Sequence, residues 1–195
     1  MVVGKKEAVD NREVSLTKQK MRSAIISILK TQKEAKRKRK SSLIKEKLFR
    51  TSLFRKAKRI MFYISLKGEV DTDLMVREAQ KQGKVLAVPV CVGKSCRLYA
   101  SLLHVGAALA AGPYGVREPV EKRPVGLEDL DLVIVPGIAF DKKRNRLGRG
   151  KGFYDRFLAR LPESTPTIGL AFDFQILTKV PTTARDIAVH KVIFA

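Results

Sequence analysis

The chain has 195 residues, of which 45% are hydrophobic, and its 40 Lys and Arg against 19 Asp and Glu give a formal charge of +21. This size allows one sizeable core, and no apolar run reaches membrane-spanning length or marks a signal peptide, so we expect a cytoplasmic protein without a membrane partner. Cys91 and Cys96 are too few for a disulfide framework or a zinc site, and we expect reduced thiols.

The positive charge is concentrated in the first part of the chain. Residues 1–60 contain 20 Lys and Arg against 5 Asp and Glu, a net +15, whereas the remaining residues carry +6. The densest run is 33–40, KEAKRKRK. Such a run is typical of a solvated helix face or of a nucleic-acid-binding segment, and we favour the solvated face. A basic RNA- or ribosome-binding protein that uses residues 30–59 remains the alternative.

The first elements in chain order are predicted to be helical. Residues 1–14 are polar and are expected to form a flexible N-terminus, followed by a single domain over 15–195. The cap residues and apolar spacing predict helices from Ser15 or Thr17 to about Lys30 and from Ser41 or Ser42 to about Thr51. Lys18 and Arg22 are four residues apart and share a helix face, either as solvated charges or as a pair that converges on one anion.

Strands and helices alternate in the rest of the chain. Strands are predicted at 60–66, 84–90, 132–135, 166–172 and 188–194, with a helix at 73–82 capped by Thr72. A short antiparallel strand is predicted at 97–100 beside the Cys91 region, and 102–118 is predicted to be a long loop. This alternation predicts an α/β fold with a largely parallel, Rossmann-like sheet in a three-layer arrangement with helices.

The segment from Asp131 to Leu158 combines a buried strand, a basic glycine-rich loop and the start of a helix. Glycines allow backbone N–H groups to approach a phosphate, the helix start adds a positive dipole end, and Arg and Lys add charge-assisted bonds. Asp155 is an acid among these bases, and a carboxylate there suits Mg²⁺ that arrives with phosphates. The loop matches neither a Walker A motif nor the dinucleotide fingerprint. From the residues alone, a phosphate loop and a flexible basic turn are equally supported.

The same segment resembles the 5-formyltetrahydrofolate cyclo-ligase family, also called 5,10-methenyltetrahydrofolate synthetases. The family pattern D-L-V-x-V-P-G-x-A-F-D followed by N-R-L-G-x-G-x-G-[YF]-Y-D-R-F-L is met at every fixed position. Lys18 and Arg22 resemble the family's K-x-x-x-R, and 63–72, 115–119 and 166–172 resemble its later motifs. The resemblance covers nearly the whole chain from Ser15 onward.

The resemblance implies an enzyme that uses ATP and Mg²⁺ to convert 5-formyltetrahydrofolate to 5,10-methenyltetrahydrofolate through an N5-iminium phosphate, with release of ADP and phosphate. Arg149 and Lys151 are the implied catalytic residues and Asp155 the Mg²⁺ ligand. The implied ATP-binding residues are Lys18, Arg22, Arg146, Leu147, Gly148, Arg149, Gly150, Lys151, Gly152, Phe153 and Tyr154. The implied folate-binding residues are Ile64, Glu69, Arg149, Gly150, Lys151, Gly152 and Phe153. We expect a monomer whose partners are these two substrates, with no specific nucleic acid.

The chain departs from the family pattern near residue 190. The family has a pattern like H-D-[IV]-x-[LV]-D, whose last Asp can serve as a second Mg²⁺ ligand, whereas this chain has His190 there. Imidazole is a poor ligand for Mg²⁺. We therefore expect a structural role for His190, with water or ATP oxygens completing the shell around Asp155.

Overall fold

A seven-stranded sheet forms the centre of the fold. The computed structural model describes the backbone of residues 3–93 and 95–195, and side chains from residue 12 onward. The helices are α1 (Val3–Thr31), α2 (Glu34–Phe49), α3 (Ser52–Lys56), α4 (Asp73–Lys81) and α5 (Phe153–Leu158). The strands are β1 (Arg59–Met61), β2 (Val85–Val92), β3 (Arg97–Leu102), β4 (Leu109–Ala111), β5 (Arg117–Pro119), β6 (Pro124–Val125), β7 (Leu132–Val135), β8 (Ala139–Asp141), β9 (Arg146–Leu147), β10 (Thr167–Ala171), β11 (Ile176–Leu177) and β12 (Lys191–Phe194).

The order of the sheet is β12-β10-β7-β1-β2-β3-β6. The pairs from β12 to β2 are parallel, and β3 and β6 are added antiparallel. Ile60 in β1 lies opposite Leu86 of β2 and Leu132 of β7. The predicted α/β class with a largely parallel sheet is confirmed, as are the parallel β1–β2 pair and the antiparallel strand beside Cys91.

Both faces of the sheet are covered, which gives three layers. In β7, Leu132 and Ile134 pack into the core shared with α1 to α4, whereas Val133 and Val135 pack into the core on the α5 side. All four side chains are fully buried. An uninterrupted apolar run is therefore required, because neither face of this strand meets water.

The N-terminal helices differ from the prediction. α1 begins at Val3, before the predicted caps Ser15 and Thr17, and α2 begins at Glu34 because the basic run consists of good helix formers. Thr51 ends the second helix as predicted, but it also caps α3, since its Oγ1 accepts a hydrogen bond from Phe54 N. Met1 and Val2 lie outside the described residues, and the boundary between a flexible terminus and the domain stays a prediction.

Three predictions about element ends and loops were wrong in detail. The strand predicted at 60–66 ends at Met61, although Phe62 N still donates to Ala87 O of β2. Thr72 does not cap α4 with its side chain, because its Oγ1 donates to Tyr63 O over 2.7 Å instead. The predicted loop at 102–118 contains β4, which pairs with β5. These strands have three residues each, too few to show a periodic pattern.

The described part of the chain contains no helix that is both long and apolar enough to cross a membrane.

Phe140 occupies space that two glycines leave free. A Cβ added at Gly137 or at Gly169 would lie 2.5 Å from an atom of the Phe140 ring. Because this ring is fully buried, it has little room to move.

We expect Gly169→Ala to lower the free energy of unfolding by about 1–3 kcal/mol through overpacking against this ring. Urea denaturation would measure the change. Phe140→Leu should relieve the clash, so the double variant should lose less stability than the sum of the two single variants. Additive losses would show that the ring and residue 169 do not compete for space.

Candidate active site

A cavity of about 390 Å³ opens at the carboxyl ends of β1 and β7. Tyr63 and Ile64 follow β1 in the chain, and Pro136 and Gly137 follow β7. The carboxyl ends of neighbouring parallel strands meet at one edge of a sheet, where ligands of such folds bind. The predicted site residues that line this cavity are Ile64, Glu69, Arg146, Gly148, Arg149, Lys151, Gly152, Phe153, Tyr154 and Asp155.

The glycine-rich loop, residues 148–152, joins β9 to α5 along one wall of the cavity. Gly150 and Gly152 have φ angles of 102° and 65°, in the left-handed region that favours glycine. Gly152 is also the N-cap of α5, and no side chain caps the helix there. The first turn of α5 places Phe153, Tyr154 and Asp155 against the cavity.

A buried ion pair joins a residue before this loop to a residue after it. Arg146 precedes the loop and has a side chain that is only 3% exposed, and its Nη2 lies 2.8 Å from Oδ1 of Asp155, which follows the loop. Asp155 Oδ1 also accepts from Ile187 N at 3.3 Å. The guanidinium of Arg146 lies over the ring of Tyr154, 5.7 Å from its centroid. The loop is therefore held at both ends by one arginine.

A second ion pair joins the loop to the turn after β1. Arg149 Nη2 and Nε lie 2.6 and 3.2 Å from Oε1 of Glu69, while Oε2 accepts from Leu66 N at 3.0 Å. The Glu69 side chain is 10% exposed and that of Arg149 is 48% exposed. Glu69, whose carboxylate was predicted to bind folate, and Arg149, which was predicted to be catalytic, are thus in direct contact across the cavity.

Lys151 is held by an aromatic ring from the β4–β5 hairpin. Its Nζ lies 3.9 Å from the centroid of Tyr114, a cation–π contact. Tyr114 in turn packs edge-on against Phe153, with ring centroids 5.3 Å apart. The ammonium group therefore lies at the mouth of the cavity, because both Lys151 and Tyr114 line it and both are exposed.

Arg22 reaches the loop from α1, whereas Lys18 of the same helix pairs with Asp186, and neither residue lines the cavity. Arg22 Nε donates to Gly148 O at 2.8 Å, and its guanidinium also contacts Gly150. Burial lowers the pKa of Arg22, an effect that Asp186 and Asp155 oppose. Lys18 is buried and its Nζ lies 2.5 Å from Asp186 Oδ2. The pair thus forms a cationic flank behind the glycine-rich loop.

Leu147 and Gly150 are the remaining predicted site residues outside the cavity wall. Leu147 is fully buried in the core, and its carbonyl accepts from Ile138 N, so its side chain faces away from any ligand of the cavity. Gly150 lies on the exposed side of the loop, beside Arg22.

The donor set at Asp155 fits a magnesium ion that takes most of its ligands from elsewhere. Oδ1 is occupied by Arg146 and Ile187, whereas Oδ2 accepts no hydrogen bond from the described residues. Over the described side chains, no group of three or more His, Cys, Asp and Glu could hold a metal. Mg²⁺ commonly takes only one or two protein carboxylates and completes its shell with phosphate and water, so one free carboxylate oxygen is sufficient.

His190 lies at the opposite edge of the sheet from the cavity. Its backbone N–H donates to the carbonyl of Thr167, the first residue of β10, at 3.1 Å. Its Nδ1 accepts from Thr167 N, also at 3.1 Å. These contacts place the imidazole at the amino end of β10, where it joins the strand to the segment before β12.

Three cavity residues that carry a hydroxyl or thiol group were not identified from the sequence. Tyr63 is buried and its hydroxyl donates to Val70 O at 3.3 Å, while Tyr114 comes from the segment predicted to be a loop. Burial, with Glu118 nearby, raises the pKa of Cys91 to about 11. At neutral pH this thiol is therefore protonated and a weak nucleophile. In the sequence, the one signal that could have identified Tyr114 is its position as an aromatic residue in the turn at 112–115.

Burial also raises the pKa of Tyr154, whose hydroxyl has no hydrogen-bond partner among the described residues. This hydroxyl therefore stays protonated, and its oxygen is buried.

Comparisons with known proteins agree on one family. Residues 14–195 match the model of the 5-formyltetrahydrofolate cyclo-ligase family. A 5-formyltetrahydrofolate cyclo-ligase of Mus musculus is 31% identical over 93% of this chain and 95% of its own length, and one of Haemophilus influenzae is 33% identical over 71% and 76%. The NMR structure of 5,10-methenyltetrahydrofolate synthetase from Aquifex aeolicus superposes with a TM-score of 0.80 at 34% identity, covering 91% of this chain and 89% of that one.

The fold and the cavity at its carboxyl edge define an α/β protein with a cationic, glycine-rich loop along the cavity wall. The chain belongs to the 5-formyltetrahydrofolate cyclo-ligase family. The family resemblance noted from the sequence is confirmed, and so is the prediction that the chain is an enzyme of this family.

Proposed function

We propose that the cavity is the active site of an ATP- and Mg²⁺-dependent enzyme that converts 5-formyltetrahydrofolate to 5,10-methenyltetrahydrofolate and releases ADP and phosphate. The observation that carries this proposal is the contact between Arg149 and Glu69. It brings a basic glycine-rich loop, suited to phosphates, against a carboxylate suited to the amino and N–H donors of a pterin. One cavity then serves both substrates.

The phosphate half consists of the loop and its cationic flank. Arg146, Gly148 and the residues through Tyr154 would contact ATP, with Lys18 and Arg22 supplying charge from α1. One donor of the Lys18 ammonium is occupied by Asp186, and two remain for phosphate oxygens. Leu147 would contribute only its position in the strand that leads into the loop.

The folate half lies on the side of the turn after β1. Glu69 would accept hydrogen bonds from the pterin, and Ile64 and Phe153 would supply apolar surface beside it. Oε2 of Glu69 carries a single hydrogen bond, from Leu66 N, so it retains a free acceptor position. Arg149 through Gly152 lie between the two halves and would meet both substrates.

The proposed reaction has two steps. The formyl oxygen attacks the γ-phosphorus, the bond to the bridging oxygen breaks, and ADP leaves with that electron pair, which gives an N5-iminium phosphate. N10 then attacks the activated carbon and loses its proton to water, the C–O bond breaks and phosphate leaves. Such chemistry requires positioning and neutralisation of charge more than a protein nucleophile. Arg149 and Lys151 would neutralise the transferring phosphoryl group, and the protonated thiol of Cys91 is not needed.

Asp155 would hold Mg²⁺ through Oδ2 while Arg146 keeps Oδ1 in place. The ion would offset phosphate charge and align the β- and γ-phosphates. A monomeric state and a cytoplasmic location stay predictions from the sequence.

The direct test is to incubate the purified protein with 5-formyltetrahydrofolate, ATP and Mg²⁺ and to follow the near-ultraviolet absorbance of the methenyl product. We expect product only when all three are present, with one ADP released per product formed. Tetrahydrofolate without the formyl group serves as the control substrate. Absence of ATP-dependent product from a folded sample would overturn the proposed function.

Lys151→Ala should lower kcat by about 10²–10³-fold, because a charge that stabilises the transferring phosphoryl group is lost. Since Lys151 is exposed, the fold should be unchanged by circular dichroism. Lys142→Ala is the matched control, because Lys142 is an exposed lysine in the turn after β8. Equal activity of both variants would remove Lys151 from the phosphoryl site.

Asp155→Asn should raise the Mg²⁺ concentration needed for half-maximal rate several-fold, since an amide oxygen is a weaker ligand than a carboxylate. The amide can still accept a hydrogen bond from Arg146 but no longer neutralises its buried charge, so the variant should also be less stable, and thermal unfolding verifies that it is folded. A Mg²⁺ titration of the rate measures the effect, with Glu163→Gln, an exposed acid after α5, as the control. An unchanged titration would place the metal elsewhere.

A further inference from the structure

The turn that carries Glu69 is held from behind by α1 and α2. We name residues 67–72 the Glu69 turn. Gly68 has a φ of 90°, and a Cβ there would lie 2.5 Å from Leu29 O near the end of α1. The turn therefore packs directly against the helix backbone, with no space for a side chain between them.

Three side chains, two from α2 and one from the α1–α2 junction, hydrogen-bond to the backbone of this turn. Gln32 Nε2 donates to Gly68 O at 2.6 Å, and Arg37 Nη1 donates to Glu69 O at 2.9 Å. Ser41 Oγ accepts from Asp71 N at 3.0 Å. Three consecutive peptide groups of the turn, between residues 68 and 71, are thus each fixed by a group from outside it.

Arg37 makes more of these contacts than its neighbours in the basic run. Its Nη2 also lies 3.1 Å from Asp71 Oδ2, and its guanidinium is bonded to both carboxylate oxygens of Glu34 at 2.7 and 2.8 Å. The side chain is only 12% exposed. The hydrogen bonds to Glu34, and secondarily the charge of Asp71, raise the pKa of Arg37 against the effect of burial.

Neighbouring cations of the run have a different environment. Lys38 and Arg39 are exposed, and neither forms an ion pair with the side chains that the structure describes. The run therefore does not act as one charged surface, since Arg37 faces the Glu69 turn while Lys38 faces solvent. Arg37 and Lys38 are therefore a matched pair of adjacent residues in the same helix, one facing the Glu69 turn and the other facing solvent.

We propose that Arg37 is a positioning residue for the folate half of the site: by fixing the carbonyl of Glu69 and the carboxylate of Asp71, it aims the Glu69 carboxylate into the cavity. Arg37 itself does not line the cavity, so it acts through Glu69. This inference rests on the proposed function, because it assigns the carboxylate of Glu69 to the folate. Small displacements of a positioning group are costly in rate or affinity.

The test compares Arg37→Gln with Lys38→Gln. We expect Arg37→Gln to raise KM for 5-formyltetrahydrofolate, and its Kd measured without ATP, by about tenfold or more, while KM for ATP stays unchanged. Lys38→Gln should change none of these values. Arg37→Lys should be intermediate, since it keeps the charge but loses the planar fork. Thermal unfolding of all variants verifies that each is folded.

A general loss of structure would raise KM for both substrates together, and such a result would overturn the inference, as would unchanged folate binding in Arg37→Gln. If the wild-type protein bound folate but gave no turnover, only the proposed reaction would fail, because the Kd comparison still tests Arg37. A wild-type protein that does not bind the folate would overturn both.

Discussion

The candidate site depends on the buried charge of Arg146. A guanidinium that is almost fully removed from water must be neutralised, and the cost of leaving it unpaired is several kcal/mol, on the order of 3–5. Asp155 provides the counter-charge from the far end of the glycine-rich loop, so the loop can bury this arginine only when it is closed. The left-handed glycines allow that closure, and Oδ2 of Asp155 accepts no hydrogen bond from the described residues. One ion pair therefore determines both the loop conformation and the orientation of the Asp155 carboxylate.

The Lys and Arg side chains that give the protein its strong positive charge have distinct local roles. Arg146, Arg149 and Lys151 line the cavity, and Lys18 and Arg22 flank it. Arg37 hydrogen-bonds to the Glu69 turn. Others, such as Lys40 with Asp173 and Lys45 with Glu78, pair with acids from distant parts of the chain. The net charge is thus a poor guide to partners here, because several of the cations in the basic run serve internal contacts.

Much of the fold could be predicted because its signals are local. The run from Leu132 to Val135 reads as a strand buried on both faces, and Gly152 before an apolar helix face reads as a turn into a helix. Arg146 and Asp155 both lie within the motif that carries the family resemblance, but the ion pair between them was not predicted. The strand that begins near Ile60 was predicted to be too long. Its apolar composition does not show that the Thr72 hydroxyl donates a hydrogen bond to the carbonyl of Tyr63.

Contacts between distant segments could not be predicted from residue patterns. Glu69 and Arg149 are 80 residues apart, and Arg37 contacts the Glu69 turn from the highly charged first half of α2. Tyr114 has a left-handed backbone in a short turn, which no periodicity reveals. In each case the information lies in how elements pack, and the sequence shows only that suitable residue types are present.

The salt bridge between Lys18 and Asp186 joins residues that are 168 positions apart. During synthesis, α1 emerges first, yet its buried ammonium has no counter-charge until residue 186 has been added. The strands and helices can begin to assemble earlier, whereas the flank behind the glycine-rich loop is completed among the last contacts of the fold. A nascent chain that lacks only this final segment would therefore possess most of the sheet and still have an unfinished phosphate half.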